Sequence, residues 1–269
     1  MVSISSRKHN VIDIFVIFLI TLTATLLADT FHVKGVISML MFFLTPAIYL
    51  LLRHRNFNIF KIFLTTIITG ITAGALDAAI TANMGWWIPI DRLVFPVRFL
   101  GIWNIDNTLW YMGLIFYIIT FYEYFLDTEK TKKLPKKFPY LALFPIIISL
   151  ALIFFRTIFP DILSSVRYPY LLLPIPFIIT PIILLYVYGR KNILGLLKKF
   201  FIISTFFFIV NLIHEIVALR QNQWTFPGEY IGVIHFAGVV MPFEELFMYV
   251  TIFAPVILMY YEIFVDDTE

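Results

Sequence analysis

Long apolar stretches alternate with short polar ones along almost the whole chain. Runs near the ~20 residues that a helix needs to cross hydrocarbon fall near 11–28, 35–52, 60–82, 106–126, 139–158, 169–188, 200–219 and 242–264. They predict eight transmembrane helices. Basic residues divide unevenly between the connections. With the N-terminus inside, the inner segments hold Arg7, Lys8, Arg53, Arg55, Lys61, Lys130, Lys132, Lys133, Lys136, Lys137, Arg190, Lys191, Lys198 and Lys199. The outer ones hold Lys34, Arg92, Arg98, Arg156, Arg167 and Arg220. Fourteen against six is a positive-inside bias that puts both termini in the cytoplasm of a cell-membrane protein. Arg7 and Lys8 could open a signal peptide, but the apolar run behind them lacks a small-residue cleavage site and further spans follow, so the first span reads as a retained anchor.

The polar connections contain a repeat. Trp86-Trp87-Ile88-Pro89 reads like Trp224-Thr225-Phe226-Pro227, 138 positions on, and Tyr122-Glu123-Tyr124-Phe125-Leu126-Asp127 reads like Tyr261-Glu262-Ile263-Phe264-Val265-Asp266, 139 positions on. One residue is gained or lost between the two blocks. The chain therefore divides into a first membrane repeat over 1–127, a basic cytosolic linker over 128–138 and a second repeat over 139–269. An even number of spans per half makes the repeats parallel, related by an axis along the membrane normal. The expected fold is an all-α polytopic bundle of two four-helix repeats.

Composition agrees: with 61% hydrophobic and 14% charged residues, the chain has too little polar surface for a soluble globule. The absence of cysteine excludes disulfides and thiolate chemistry. Neither a glycine-rich phosphate or dinucleotide loop nor metal-ligand spacing among His9, His32, His54, His214 and His235 is present, so no cofactor and no metal are expected. The linker lysines fit topology and anionic lipid rather than nucleic acid. The lipid bilayer is the first partner; the oligomeric state stays open, a homo-oligomer included.

Acids within such spans are costly and mark function. Asp77 and Glu215 end the third and seventh spans, and Asp106-Asn107 and Glu244-Glu245 open the fourth and eighth, each pair of positions 138 apart. Five acids, Asp77, Asp106, Glu215, Glu244 and Glu245, are thus expected to approach one outer cavity. A proline followed by acids is also how an ordinary helix begins. Adjacent helical residues point about 100° apart, so at most one of Glu244 and Glu245 faces a reaction, the other capping or pairing with Arg92, Arg98 or Arg220. All five tryptophans lie on the outer side, as an interfacial belt or, for Trp86 and Trp224, as pocket walls. Glu123 and Glu262, at inner helix ends among lysines, read as solvated or paired anchors.

An acid near one helix end, then a Trp block, then Pro-x-Glu-Glu-x-x-aromatic at the next helix resembles the integral-membrane lycopene cyclase domain family. Its two half-size modules occur separately or as a tandem fusion. The residues that carry the resemblance are Gln223-Trp224-Thr225-Phe226 with Pro242-Phe243-Glu244-Glu245-Leu246-Phe247, and Asp77-Ala78-Ala79 with Gly85-Trp86-Trp87. They cover the last two spans of each half. The first copy departs from the pattern, having Asp106-Asn107 where two acids would stand. The resemblance implies a redox-neutral, acid-catalysed cyclisation of lycopene ends to β-type rings. A carboxyl removed from water protonates the terminal double bond, a dry pocket shelters the carbocation, and a base removes a proton. It implies Glu244 or Glu245 as acid and its neighbour or Glu215 as base. Trp86, Trp87, Trp224, Tyr249 and Phe247 would line the polyene site and steady the cation through their rings. The alternatives are a carotenoid hydratase, which admits water to the same cation, and a transporter built on parallel repeats.

Overall fold

A computed structural model of the chain describes residues 4–53, 58–127, 134–187 and 193–266. Arg55, Lys130, Lys132, Lys133, Arg190 and Lys191, and most of the linker expected at 128–138, lie outside the described residues. Within them the protein is an all-α bundle of long helices, α1 (Ile4–Phe31), α2 (Gly35–Arg53), α3 (Ile59–Ala82), α4 (Ile105–Phe125), α5 (Phe138–Ile158), α6 (Pro169–Val187), α7 (Ile193–Arg220) and α8 (Glu245–Phe264). Seven are long and apolar enough to cross a membrane, so the protein is a multi-pass membrane protein. The exception, α4, is the eighth expected span. It is less apolar because it is central: it packs on α2, α3, α7 and α8, and carries Asp106, Asn107, Glu123 and four tyrosines among its 21 residues. Polar groups are tolerated there because protein, not lipid, surrounds them.

Local chemistry sets the helix starts. Asn58 accepts the Lys61 N–H at 3.1 Å and Asn104 the Asn107 N–H at 2.7 Å, each a side-chain cap of an otherwise orphaned donor. Inside α3 the hydroxyls of Thr65, Thr69 and Thr72 bond back to carbonyls four residues earlier, so they need no water. Two outer connections hold small antiparallel hairpins, β1 (Arg98–Phe99) with β2 (Trp103–Asn104), and β3 (Val233–Phe236) with β4 (Val239–Pro242). Gly101 and Gly238 sit in their turns at φ of 76° and 79°, a conformation glycine adopts without steric cost. Pro242 therefore ends a strand instead of opening the last helix. Asp77 and Glu215 likewise lie inside their helices, which run on to Ala82 and Arg220, rather than at the span ends.

Equivalent residues meet across a pseudo-twofold axis. At the outer end Trp87 and Thr225, 138 apart, exchange backbone hydrogen bonds of 2.8 Å in both directions. At the inner end the rings of Tyr122 and Tyr261 meet edge to face at 5.8 Å. Tyr122 donates to Glu262 at 2.5 Å, and Tyr261 donates to Glu123. Lys61 reaches Glu123 at 3.2 Å, and Lys199, 138 further on, reaches Glu262 at 3.2 Å. Each lysine also stands 5.0 Å from the centre of the partner half's tyrosine ring. Equivalents thus meet at the same depth, as parallel repeats require. The change from 138 to 139 has a structural seat. Between Tyr249 and Tyr261 the second copy holds one extra residue, and here α8 runs as a π-helix over Glu245–Ile252, the form an α-helix takes on absorbing an insertion.

The inner glutamates are therefore paired and buried, at 6% and 1% exposure, and Asp266 joins them at 3.4 Å from Lys61 and 3.0 Å from the Tyr122 hydroxyl. Removing one partner from a buried ion pair strands the other and costs about 3–5 kcal/mol. The Lys61 side chain is 2% exposed and that of Lys199 27%, so water can compensate only the second loss. We expect Lys61→Met to lower the unfolding temperature of the purified, lipid-reconstituted protein well beyond Lys199→Met; equal shifts would show that the two networks do not differ in solvent access.

Candidate functional site

The outer ends of four helices close around one acidic cavity. Asp77 comes from α3, Asn107 and Tyr111 from α4, Glu215 from α7, and Glu245 and Tyr249 from α8; Tyr170 of α6 and the loop residues Trp86 and Trp224 complete it with Trp110. Asn107 and Tyr111 reach it together because a four-residue spacing places both on one helix face. Counted with the space open to the outside, the cavity holds about 320 Å³.

Its three carboxyls are 3–6% exposed, and each meets neutral donors. Asp77 accepts from the Asn107 amide at 2.5 Å on Oδ2 and from the Tyr111 hydroxyl at 3.0 Å on Oδ1. Glu215 Oε1 accepts from the Trp224 indole at 2.9 Å. Glu245 Oε2 accepts from the Tyr170 hydroxyl. No lysine, arginine or histidine is among the lining residues. Asp77 thus has both oxygens engaged as acceptors, whereas Glu215 and Glu245 each keep one oxygen without a protein partner among the described residues. A carboxyl in that state can hold or give a proton without breaking an ion pair.

An apolar groove joins this cavity at Tyr111 and Tyr249. Ala73, Leu76, Phe177, Ile178, Phe253 and Val256 are among its walls, around about 410 Å³. It runs beneath α6, the span with the smallest buried share. The corresponding space in the other half is filled. His214 stands at the position equivalent to Leu76 and Trp110 at that of Met248. The His214 ring lies 5.0 Å from both Phe42 and Phe43 and 5.6 Å from Trp110, and its Nε2 is 2.9 Å from the Ser38 hydroxyl. His214 also stacks on Trp224 at 5.8 Å and 29°, holding the indole that serves Glu215. The acids are arranged as a pair of repeats, but open apolar access lies on one side.

The expectation of five acids in one cavity is corrected. Asp77, Glu215 and Glu245 converge; Asp106 and Glu244 turn to the loops. Asp106 accepts from the N–H groups of Val94 and Phe95 at 2.6 and 2.9 Å, and Glu244 from Ile231 at 2.7 Å. They are equivalent positions doing equivalent work, fastening a loop to a helix start, and neither pairs with an arginine as expected for Glu244. Trp86, Trp224 and Tyr249 line the cavity; Trp87 and Phe247 do not. Trp87 lies on the outer axis with the Arg98 guanidinium 3.9 Å over its ring, and Phe247, 45% exposed, stacks on Phe243. Loop closure continues through Tyr230, whose hydroxyl donates to Gly85 O; burial pushes it up to about 12, so it remains a donor across the neutral range.

Sequence reasoning passed over Asn107 as a wall, Tyr111, Tyr170 and Trp110. The repeat itself carried the signal for two: Tyr111 is 138 before Tyr249, and Asn107 is 138 before Glu245. Tyr170 has no local signal, because α6 brings it in from outside both motifs. If Asp106 is a loop fastener, Asp106→Ala should leave two N–H groups unpaired, a loss of about 1–3 kcal/mol for buried donors, while Asp106→Asn should retain part of the bonding. Amide hydrogen exchange should accelerate at both Val94 and Phe95 in the first variant and at one of the two in the second, whose amide keeps a single acceptor oxygen; unchanged exchange in both would contradict the role.

The chain was compared with protein-family models, with curated proteins and with solved structures, and none of them matches it.

Proposed function

We propose that the protein is a membrane enzyme that protonates the end of a lipophilic polyene and closes it to a ring, a lycopene cyclase acting without net redox change. The observation that carries this reading is three buried carboxyls served only by neutral donors, in an aromatic cavity continuous with an apolar groove. Groove and cavity match the two parts of such a substrate: a long hydrocarbon chain and one reacting end. We place the protein in the cell membrane with both termini cytoplasmic, on the positive-inside bias of its connections.

The proton is assigned to Glu245, which shares its helix with Tyr249, a wall common to cavity and groove. Its O–H bond breaks, the proton adds to the terminal double bond, and a tertiary carbocation forms. An internal double bond of the same polyene supplies the electron pair for the new carbon–carbon bond, and the positive charge moves into the ring. Asp77 or Glu215 then accepts a proton from the adjacent carbon, restoring a double bond. Atoms balance within the substrate, and one proton enters as one leaves. Asp77 suits the accepting role because Tyr111 and Asn107 hold both its oxygens in place. Faces of Trp86, Trp224 and Tyr249 around the cavity steady the cation through their quadrupoles, and ring closure wins where it outruns capture of the cation by water.

The test is expression in cells that accumulate lycopene, followed by pigment chromatography. Ring-bearing carotenoid is the expected product. Loss of a positioned proton donor costs ~10² to 10⁴ in rate, so Glu245→Gln should abolish the product at normal expression. Glu244→Gln keeps an acceptor oxygen for the Ile231 N–H and should stay active. Product retained in Glu245→Gln would put the acid elsewhere, and unchanged lycopene with the native protein would contradict the reading.

A further inference from the structure

Beside the acid cavity lies a second space that ring closure does not use. It is bounded by the start of α2 at Gly35 and Val36, by Leu93 of the outer connection and by Gln223, and it meets the acid cavity at Asn107, Trp110 and Trp224. Counted with the space open to the outside it holds roughly 290 Å³, and its inner part has room for an oxygen atom.

Among the described residues, two of its walls carry polar atoms without partners. Gln223 is 1% exposed. The orientation of its amide follows from its neighbours, since Nε2 donates to Val33 O and to Gln221 Oε1, both at 2.9 Å, and only an NH₂ group can serve two acceptors. Oε1 is thereby left as an acceptor with no donor, on the side of Gly35, where a Cβ would stand 3.7 Å from it. Trp110 Nε1 is a buried donor with no acceptor. Buried polar groups in native proteins are almost always paired. A bare hydrocarbon end pairs neither atom. A hydroxyl group, which donates once and accepts as well, suits both kinds of orphan.

We propose that this space is a hydroxyl-oxygen subsite for the polyene end that reacts in the acid cavity, an inference that rests on reading that cavity as a polyene-protonating site. The oxygen has two sources with the same chemistry: a hydroxyl borne by the substrate, or a water molecule held beside the cation. In the second case a water lone pair forms the carbon–oxygen bond, and the surplus proton passes to the carboxylate left after alkene protonation. The net change is addition of water across the double bond.

Two variants probe the subsite by different routes. Gln223→Leu removes the orphan acceptor. Gly35→Ala leaves Gln223 in place and sets a methyl against Oε1 at ordinary contact distance. The purified protein in lipid nanodiscs is titrated with a linear polyene and with its end-hydroxylated counterpart, read by quenching of tryptophan fluorescence, and is then incubated with the linear polyene in ¹⁸O-water. A substrate hydroxyl as the source predicts ~10-fold tighter binding of the alcohol, erased in both variants while affinity for the hydrocarbon holds. Water as the source predicts an ¹⁸O-labelled, ring-less alcohol among the products, diminished in both variants. Equal affinity for the two polyenes and no labelled alcohol, with ring product still forming, would overturn the subsite and leave the reading of the acid cavity standing. Failure to bind or convert either polyene would remove that reading and the subsite with it.

Discussion

An acid inside a membrane protein must find a donor within the protein, and the kind of donor decides what the acid can do. This chain answers the same demand in two ways at its two ends. At the inner end Glu123 and Glu262 meet Lys61 and Lys199 at 3.2 Å. Buried ion pairs of this sort fix geometry, since taking one partner away strands a charge. At the outer end Asp77, Glu215 and Glu245 meet a phenol, an amide or an indole. Such partners orient a carboxyl and leave its proton free to move. The inner network ties the two halves together, and that tie sets α3, α4, α7 and α8 so that the outer acids share a cavity.

Symmetry and its breaking are both needed for the site. The backbone exchange of Trp87 with Thr225 and the ring contact of Tyr122 with Tyr261 place the axis, and the axis puts Asp77 opposite Glu215 and Asn107 opposite Glu245. Replacing a second glutamate by Asn107 gives Asp77 a donor where Glu215 faces another acid. Filling one groove with His214, Trp110, Phe42 and Phe43 leaves apolar access from the other side, beneath α6. The π-helical stretch of α8 adds to the inequality, because it carries Glu245 and Tyr249 on a helix form that their counterparts Asn107 and Tyr111 lack. A duplicated scaffold has thus become a site with distinct acids and an apolar approach beneath α6.

Much of this architecture was legible along the chain. Runs of apolar residues located the helices, since length and hydropathy alone decide whether a segment can lie in lipid. Two repeated blocks located the halves, and their 138 and 139 spacings already held the insertion that the π-helix absorbs. The acids were legible as a cost that needed a reason. Their directions were not. Glu244 and Glu245 are adjacent, and only the hairpin preceding them, which turns Glu244 to the Ile231 N–H, decides which one looks inward. Asp106 was misread for the same reason, because a loop of 22 residues between α3 and α4 hides where its backbone donors fall. The Tyr170–Glu245 bond and the Ser38–His214 contact are long-range meetings of separate helices, which no local pattern encodes.

The proposal turns on delivery of a proton from the outer acids to a carbon–carbon double bond. Its most direct test is turnover of lycopene by the purified protein in heavy water, with the product examined by mass spectrometry. Each ring closed through alkene protonation must retain one deuterium from solvent, and Glu245→Gln must abolish the labelled product. Ring-bearing product free of deuterium, or labelled product undiminished in Glu245→Gln, would contradict the claim.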